Sequence, residues 1–287
     1  MKSSNLGWVN GFLGVLIFSG SLPATRVAVE SFDPIALTAL RATIAGLLAL
    51  PMLLLSRQPL PSKADLISLV TVALGVVVGF PLLTALALQH VTSAHAILFI
   101  GLLPIATALF GVLRAGDRPR PVFWLFAVLG SGCVVSYALA QVKGEGNLVG
   151  DGLMLAAVVV CGFGYAEGAR LSRHLGGWQV ISWALVVSLP AMVVLSIVYW
   201  PEWDRATVPA LASLAYVSLF SMLIGFIFWY RGLAIGGVAQ VGQLQLLQPF
   251  FGLALAAGLL GETVGWQLVV VTLAVIGCVV GAKRFAR

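Results

Sequence analysis

Apolar runs of roughly twenty residues, separated by short polar breaks, recur along the whole chain. They fall at about Leu6–Val29, Pro34–Leu55, Leu66–Leu88, Thr92–Leu113, Val122–Ala140, Leu153–Leu171, Val180–Trp200, Pro209–Tyr230, Val238–Leu260 and Gly265–Ala282. An α-helix needs about 20 apolar residues to cross the hydrocarbon core of a bilayer, so the pattern predicts about ten spanning helices. Spanning strands would alternate in segments of about ten residues, and that alternation is absent. The breaks are too short for a soluble domain, as in Arg57-Gln58-Pro59-Leu60-Pro61-Ser62-Lys63. The first run follows Lys2 and looks like a signal sequence. It is longer than the usual apolar stretch of about 7–15 residues, and no A-x-A-like cleavage site follows it, so it reads as a retained span.

The runs also repeat. Moved forward by 145 positions, Ala94 falls on Ala239, Pro104 on Pro249 and Gly116-Asp117 on Gly261-Glu262. Gly132-Cys133-Val134-Val135 falls on Gly277-Cys278-Val279-Val280, with no gap needed from Ala87 to Val135. The chain therefore reads as two units, 1–143 and 149–287, joined by a linker at 144–148. Each unit holds five spans, an odd number, so the second enters the membrane from the opposite side. The fold expected is an all-α integral membrane protein, with ten helices in two inverted five-helix repeats around a central cavity. Transporters of several folds use such repeats to present one midplane site to either side in turn.

Composition agrees with a lipid environment. The 287 residues are 60% hydrophobic and 9% charged, against about 25% charged in soluble domains, and the mean hydropathy is +1.06. The net charge of +6 does not point to nucleic acid, because the basic residues are scattered singly among the breaks. With the N-terminus inside, twelve of the 16 lie in inner segments, Arg26, Lys143 and Arg205 lie outside, and Arg41 falls within the second span. The positive-inside rule then puts both termini in the cytoplasm. Trp8, Trp124, Trp178, Trp200, Trp203 and Trp266 sit at expected span ends, where interfacial aromatics belong. Cys133, Cys161 and Cys278 lie in apolar runs and have neither disulfide nor metal spacing.

A few polar and irregular positions remain as candidates for function. Pro104 and Pro249 each remove a helix hydrogen bond, freeing the carbonyls of Ile100 and Gln245. Their recurrence at one repeat position favours a cavity-lining kink, whereas Pro23 and Pro81 have no such echo. Gln240, Gln243, Gln245 and Gln248 crowd one span, and Gln240 and Gln243 are the pair expected to face the cavity. His95 is the repeat equivalent of Gln240 and reads equally as a substrate or proton ligand and as a neutral hydrogen-bonding partner. Glu167 is the one carboxylate well inside a span; it suits proton or cation coupling, though its nearness to the span end slightly favours an interfacial ion pair with Arg170. Arg41 needs a partner, for which Asp33 and Glu30 are at hand. Phe99, Tyr165, Trp183, Trp229 and Tyr230 are the aromatics that could line a site for a flat or amphipathic solute. Gly277-x-x-x-Gly281 allows close helix contact, within the chain rather than between chains.

No Walker loop, HExxH or Ser-centred elbow occurs, so neither an enzyme nor an ATP-driven pump is expected, and no cofactor or metal. Asp33-Pro34 followed by Arg41, Thr92-Ser93-Ala94 ahead of Pro104, Gly116-Asp117, and Ala239 through Pro249 to Gly261-Glu262 resemble the drug/metabolite transporter superfamily, in its EamA branch. Asp117 departs from the glutamate usual there. The sequence is also similar to bacterial aromatic amino acid exporters. That resemblance implies an inner-membrane exporter of aromatic or other neutral amino acids, working by alternating access, with a small-molecule substrate and the bilayer as partners. Five plus five helices suffice for a monomer. Cationic drugs, purines or sugar conjugates are the alternative cargo, and a non-transporting structural or regulatory protein is the alternative class.

Overall fold

The computed structural model describes residues 2–141, 147–252 and 266–285. They form ten helices. The segments Lys2–Phe18 and Ser21–Ala28 make α1, Pro34–Leu55 is α2, and Lys63–Ala87 is α3. Ser93–Ile100 and Leu103–Ala115 make α4, Pro121–Gln141 is α5, Leu148–Ser172 is α6, and Gly177–Val198 is α7. Val208–Gly236 is α8, Val238–Gly242 opens α9, and Trp266–Phe285 is α10. Six of the ten, α1, α2, α3, α6, α7 and α8, are long and apolar enough to cross a bilayer as single runs. Helix α4 is broken at Gly101-Leu102, and the described part of α9 ends at Gly252. The expected linker at 144–148 and the Gly261-Glu262 motif lie largely or wholly outside them.

Helix pairing follows the repeat. Helix α1 packs on α8 and α3 on α6, while α2 packs on α7, α4 on α9, and α5 on α10. Exchanging each helix for the one five places later maps this set onto itself, as a pseudo-two-fold axis requires. Local irregularities obey the same exchange. Wide π-helical turns at Ala73–Gly79 in α3 and Val217–Ile224 in α8 overlap when moved by the 145-residue offset. The start of α6 lies beside the start of α4, because His95 meets Asp151, and the end of α1 lies beside the end of α3, because Arg26 donates to the Leu88 carbonyl. These four termini share one end of the bundle, so α1 and α6 run in opposite directions. Leu54, Leu55, Ile197, Val198 and Leu273 point outward and exposed, the surface that lipid requires.

Backbone contact through glycine sets the spacing of the main pair. A Cβ on Gly7 would lie 2.7 Å from the Gly236 nitrogen, and one on Gly232 would lie 2.6 Å from the Gly11 nitrogen. Helices α1 and α8 thus meet through two reciprocal small-x-x-x-small faces, the arrangement that lets membrane helices gain van der Waals contact where lipid offers no hydrophobic drive. The counterpart pair uses Gly75 of α3 against Gly164 of α6. The sequence reading had singled out Gly277-x-x-x-Gly281 instead. Gly277 faces open space and Gly281 receives the Phe126 ring of α5, so that motif serves one contact inside the chain.

Gly232→Leu would drive a side chain into the Gly11 backbone, which cannot yield as a flexible side chain would. Overpacking of this kind costs about 1–3 kcal/mol. The expected result is a lower unfolding temperature in detergent for Gly232→Leu than for wild type. A wild-type unfolding temperature would show that α1 and α8 are not in backbone contact.

Candidate functional site: a central cavity and a polar tie at one end

A cavity lies on the pseudo-two-fold axis, between the two units. Its wall takes Phe18, Ser21, Leu22 and Thr25 from α1, Arg41 from α2, Val76, Phe80, Pro81 and Thr84 from α3, and Leu103 from α4. The second unit adds Tyr165 from α6, Ser221 and Phe226 from α8, and Gln248 from α9. Three pairs of wall residues stand 145 positions apart: Val76 with Ser221, Pro81 with Phe226, and Leu103 with Gln248. In each pair the second-unit member is the polar or aromatic one. The cavity is contracted. About 30 Å³ admits the centres of water molecules, room for about two or three of them, so an amino acid needs the walls to move.

Three rings cluster in the lining. The ring centroids of Phe18 and Phe226 lie 5.0 Å apart and those of Tyr165 and Phe226 5.9 Å apart. Trp229, fully buried, stands behind this wall, 5.3 Å from Tyr165 and 6.2 Å from Phe18 between centroids. Tyr230 stands behind it too, its hydroxyl donating to the Gly164 carbonyl at 3.2 Å. Of the aromatics expected to line a site, only Tyr165 belongs to the cavity lining. Trp183 is half-buried against the main core, and Phe99 lies against His95 with centroids 5.9 Å apart.

The lining also holds Arg41. The side chains one turn away on α2 are Leu37, Thr38, Ile44 and Ala45, so no acid lies within helical reach. Asp33, expected as its partner, caps α2 by accepting from the Ile35 and Ala36 N–H groups at 2.8 and 3.2 Å. Eight residues of helix put Asp33 about 12 Å from Arg41 along the axis, and Glu30 precedes the cap. Arg41 is instead buried at 6% exposure, and its Nη2 donates to the Ser221 Oγ at 3.3 Å. Its Nε has no partner among the described residues. Ser221 Oγ also shares a hydrogen bond with Ser21 Oγ at 2.7 Å.

The prolines act one residue off their expected place. Pro104 and Pro249 are not in the lining, while Leu103 and Gln248, which precede them, are. Pro81, which has no repeat echo, is. Helix α4 breaks ahead of Pro104, and α9 tightens into a 3₁₀ stretch, Gln243–Leu247, ahead of Pro249. That tightening satisfies the Gln245 carbonyl, which accepts from the Gln248 N–H and is not left free. It also turns the helix by about 20° more per residue than α geometry, which rotates Gln248 into the cavity. Gln240 and Gln243, expected there, are not part of its lining. Gln243 is fully buried with both amide atoms unpartnered among the described residues, and Gln245 Nε2 donates to Thr107 Oγ1 at 3.3 Å.

Gln240 belongs to one end of the bundle, where charged groups gather. Its Nε2 donates to the Lys283 carbonyl at 2.8 Å, and it borders a shallow pocket with Asp117, Arg118 and Arg173. Gly116, with φ of 73°, ends α4 in the left-handed region that favours glycine. The turn aims Asp117 at α9, where its Oδ2 accepts from the Ala239 N–H at 2.7 Å, and Arg173 donates to its Oδ1 at 3.3 Å. Glu167, completely buried, takes Arg114 of α4 at 2.9 Å and Arg170 at 2.5 Å. Arg170 continues to Ser68 of α3 at 2.8 Å, and His174 meets Asp65 at 3.0 Å. This end is thus tied across α3, α4, α6, α9 and α10. Lys283 lies over the Trp8 ring at 4.3 Å, whereas Trp200 and Trp266 stand exposed as belt residues do. His95 lies at the other end, its Nε2 2.6 Å from Asp151 Oδ1.

Comparison with known proteins agrees with this architecture. The model of the EamA-like transporter family matches residues 5–137 and 148–282, one match per unit. The uncharacterized transporter YdeK of Bacillus subtilis (strain 168) is 68% identical, with 100% of each chain covered. The probable terminal-alkyne amino-acid exporter of Streptantibioticus cattleyicolor is 27% identical, over 91% of this chain and 88% of that one. The uncharacterized inner membrane transporter YedA of Escherichia coli (strain K12) is 25% identical, over 94% and 89%. A crystal structure superimposes with a TM-score of 0.80 over 96% of this chain and 98% of its own, at 21% identity, which speaks to the fold.

Glu167→Gln removes the charge that both arginines share and leaves them partly exposed at this end. Charged hydrogen bonds contribute about 1.5–3 kcal/mol each, and the exposure of Arg114 and Arg170 places the expected loss of stability in the lower part of that range. Thermal unfolding of Glu167→Gln in detergent measures it. A variant as stable as wild type would mean the tie contributes nothing to the fold.

Proposed function

Because the chain belongs to the EamA-like transporter family, and is therefore a multi-pass membrane transporter, we propose that it exports small amphipathic metabolites by alternating access, neutral amino acids first. The observation that carries this reading is the cavity itself, whose lining combines the aromatic Phe18, Tyr165 and Phe226 with the polar Ser21, Thr25, Arg41, Thr84, Ser221 and Gln248. Such a site suits a solute with an apolar body and a polar head. Its place between inverted units is where transporters of this construction bind cargo. The likeness to a probable amino-acid exporter supports the same class of cargo. A cationic cargo is disfavoured, because Arg41 faces the cavity and Glu167, already held by two arginines, does not.

The membrane is the bacterial inner membrane, with the Glu167 end of the bundle and both chain termini in the cytoplasm. Lys63, Arg114, Arg118, Arg120, Arg170, Arg173 and Lys283 all belong to helix ends that meet there, which supports that sidedness through the positive-inside rule. Within that reading, the bond of Gln240 to the Lys283 carbonyl supports a position toward the cytoplasm, and the pairing of His95 with Asp151 at the opposite end supports one toward the outside.

Proteoliposomes loaded with labelled phenylalanine or tryptophan should lose label faster than liposomes without protein, and faster than with a cationic solute of similar size. Loss at the protein-free rate across a panel of neutral solutes would overturn the export reading. For sidedness, a cysteine at position 118 in a chain lacking its three native cysteines should react with impermeant maleimide only after cells are opened. Labelling in intact cells would reverse the topology.

A further inference from the structure

Arg41 is a full positive charge placed within the span and more than nine-tenths buried, with no carboxylate within 4 Å among the described residues. A guanidinium carries five N–H donors and no acceptor. Among the described residues one bond to a neutral serine hydroxyl is made, and Nε has no partner. The other buried charges of the bundle are treated differently: Glu167 has two arginines, and the arginines near it reach carboxylates, carbonyls or hydroxyls. A purely structural arginine linking α2 to α8 would be held by carbonyls or an acid, as Arg26 is by the Leu88 carbonyl and Arg173 by the Ala115 carbonyl. Arg41 instead opens onto the central cavity.

We propose that Arg41 anchors the carboxylate of the transported solute, with the Ser221 and Ser21 hydroxyls beside it and the apolar body of the solute against Phe18, Tyr165 and Phe226. This rests on the export reading and narrows it to monocarboxylates. The guanidinium fork matches the two oxygens of a carboxylate. One arginine facing an otherwise uncharged wall neutralises a single negative charge, which selects against dianions such as phosphate esters. Among the described residues the lining contains no acid. An ammonium group on the solute therefore meets only neutral hydroxyl and amide groups such as those of Thr84 and Gln248, and recognition turns on the carboxylate and not on the amine. The anchor belongs to one unit alone: seven residues into α7, where α2 has Arg41, stands Ala184.

The test compares three probes of one size on the purified full-length protein: phenylalanine, 3-phenylpropionate, which lacks the amine, and phenylalaninamide, which lacks the carboxylate. Binding is read by thermal stabilisation in detergent, and transport by efflux of each labelled probe from proteoliposomes. The two acids should stabilise wild type at concentrations at least tenfold below the amide. Arg41→Gln should erase that acid-over-amide preference, and Arg41→Lys should keep part of it. Equal action of the acids and the amide on wild type overturns the anchor, and needs no variant to fold. So does an unchanged preference in Arg41→Gln, or the absence of stabilisation by both acids. Binding of the acids without efflux would sink the export reading and leave the anchor standing; equal efflux of acid and amide would do the reverse.

Discussion

Everything in this bundle follows from the cost of a polar group that lipid cannot solvate. Backbone groups meet that cost within the helices, and where a proline removes a bond the chain makes a local repair. The 3₁₀ stretch before Pro249 hands the Gln245 carbonyl to the Gln248 N–H. Side chains meet it by pairing. Glu167 is completely buried and takes two arginines, Asp117 takes Arg173 and the Ala239 N–H, and His95 takes Asp151. These pairs lie at the two ends, where helices from both units converge, and the outward faces stay apolar. Arg41 departs from this rule by facing the cavity with most of its donors unspent. An ionised group at a helix centre costs about 2.5–3.5 kcal/mol on the insertion scale, a cost that a structural role served by a single serine does little to offset.

Helix number and fold class could be read from the apolar runs, because lipid forces spans of one length whatever the details of packing. The inverted repeat could be read too, since an odd number of spans fixes the direction of the second unit. What escaped was local phase. Four glutamines on one helix can be sorted into faces only if the helix is regular, and a short 3₁₀ stretch was enough to bring Gln248 into the cavity and to place Gln243 elsewhere. Proline signals such stretches without giving their length. The helix contact through Gly7, Gly11, Gly232 and Gly236 was equally open to inspection, yet small residues are common in membrane helices, and Gly277-x-x-x-Gly281 matched the pattern as well. Only the geometry tells a glycine against backbone from one facing open space.

The cavity residues themselves were partly legible. Arg41 has no acid one turn away in either direction, which the sequence alone states. Asp33, the nearest acid along the same helix, is committed to capping α2. Ser221, by contrast, sits 180 residues away in the other unit, and no local pattern predicts that contact. Tyr165 was found because its hydroxyl marks it out among apolar neighbours, and Trp229 and Tyr230 were drawn in by the same logic, although packing puts them one layer behind.

Symmetry and its breaking have different consequences here. The paired π turns, the paired breaks ahead of Pro104 and Pro249, and the exchange-related helix contacts give the two units matching places to bend. The contracted cavity admits no solute of amino-acid size unless its walls move. The groups that hold the two ends are unlike, however. One end is tied by carboxylates on arginines across five helices, the other by His95 on Asp151 and Arg26 on a carbonyl. Separating the helices at the two ends therefore breaks unlike contacts. The charge at the centre is likewise confined to one unit. A symmetric scaffold thus encloses an asymmetric lining, with Arg41 from the first unit and Ser221, Phe226 and Gln248 from the second.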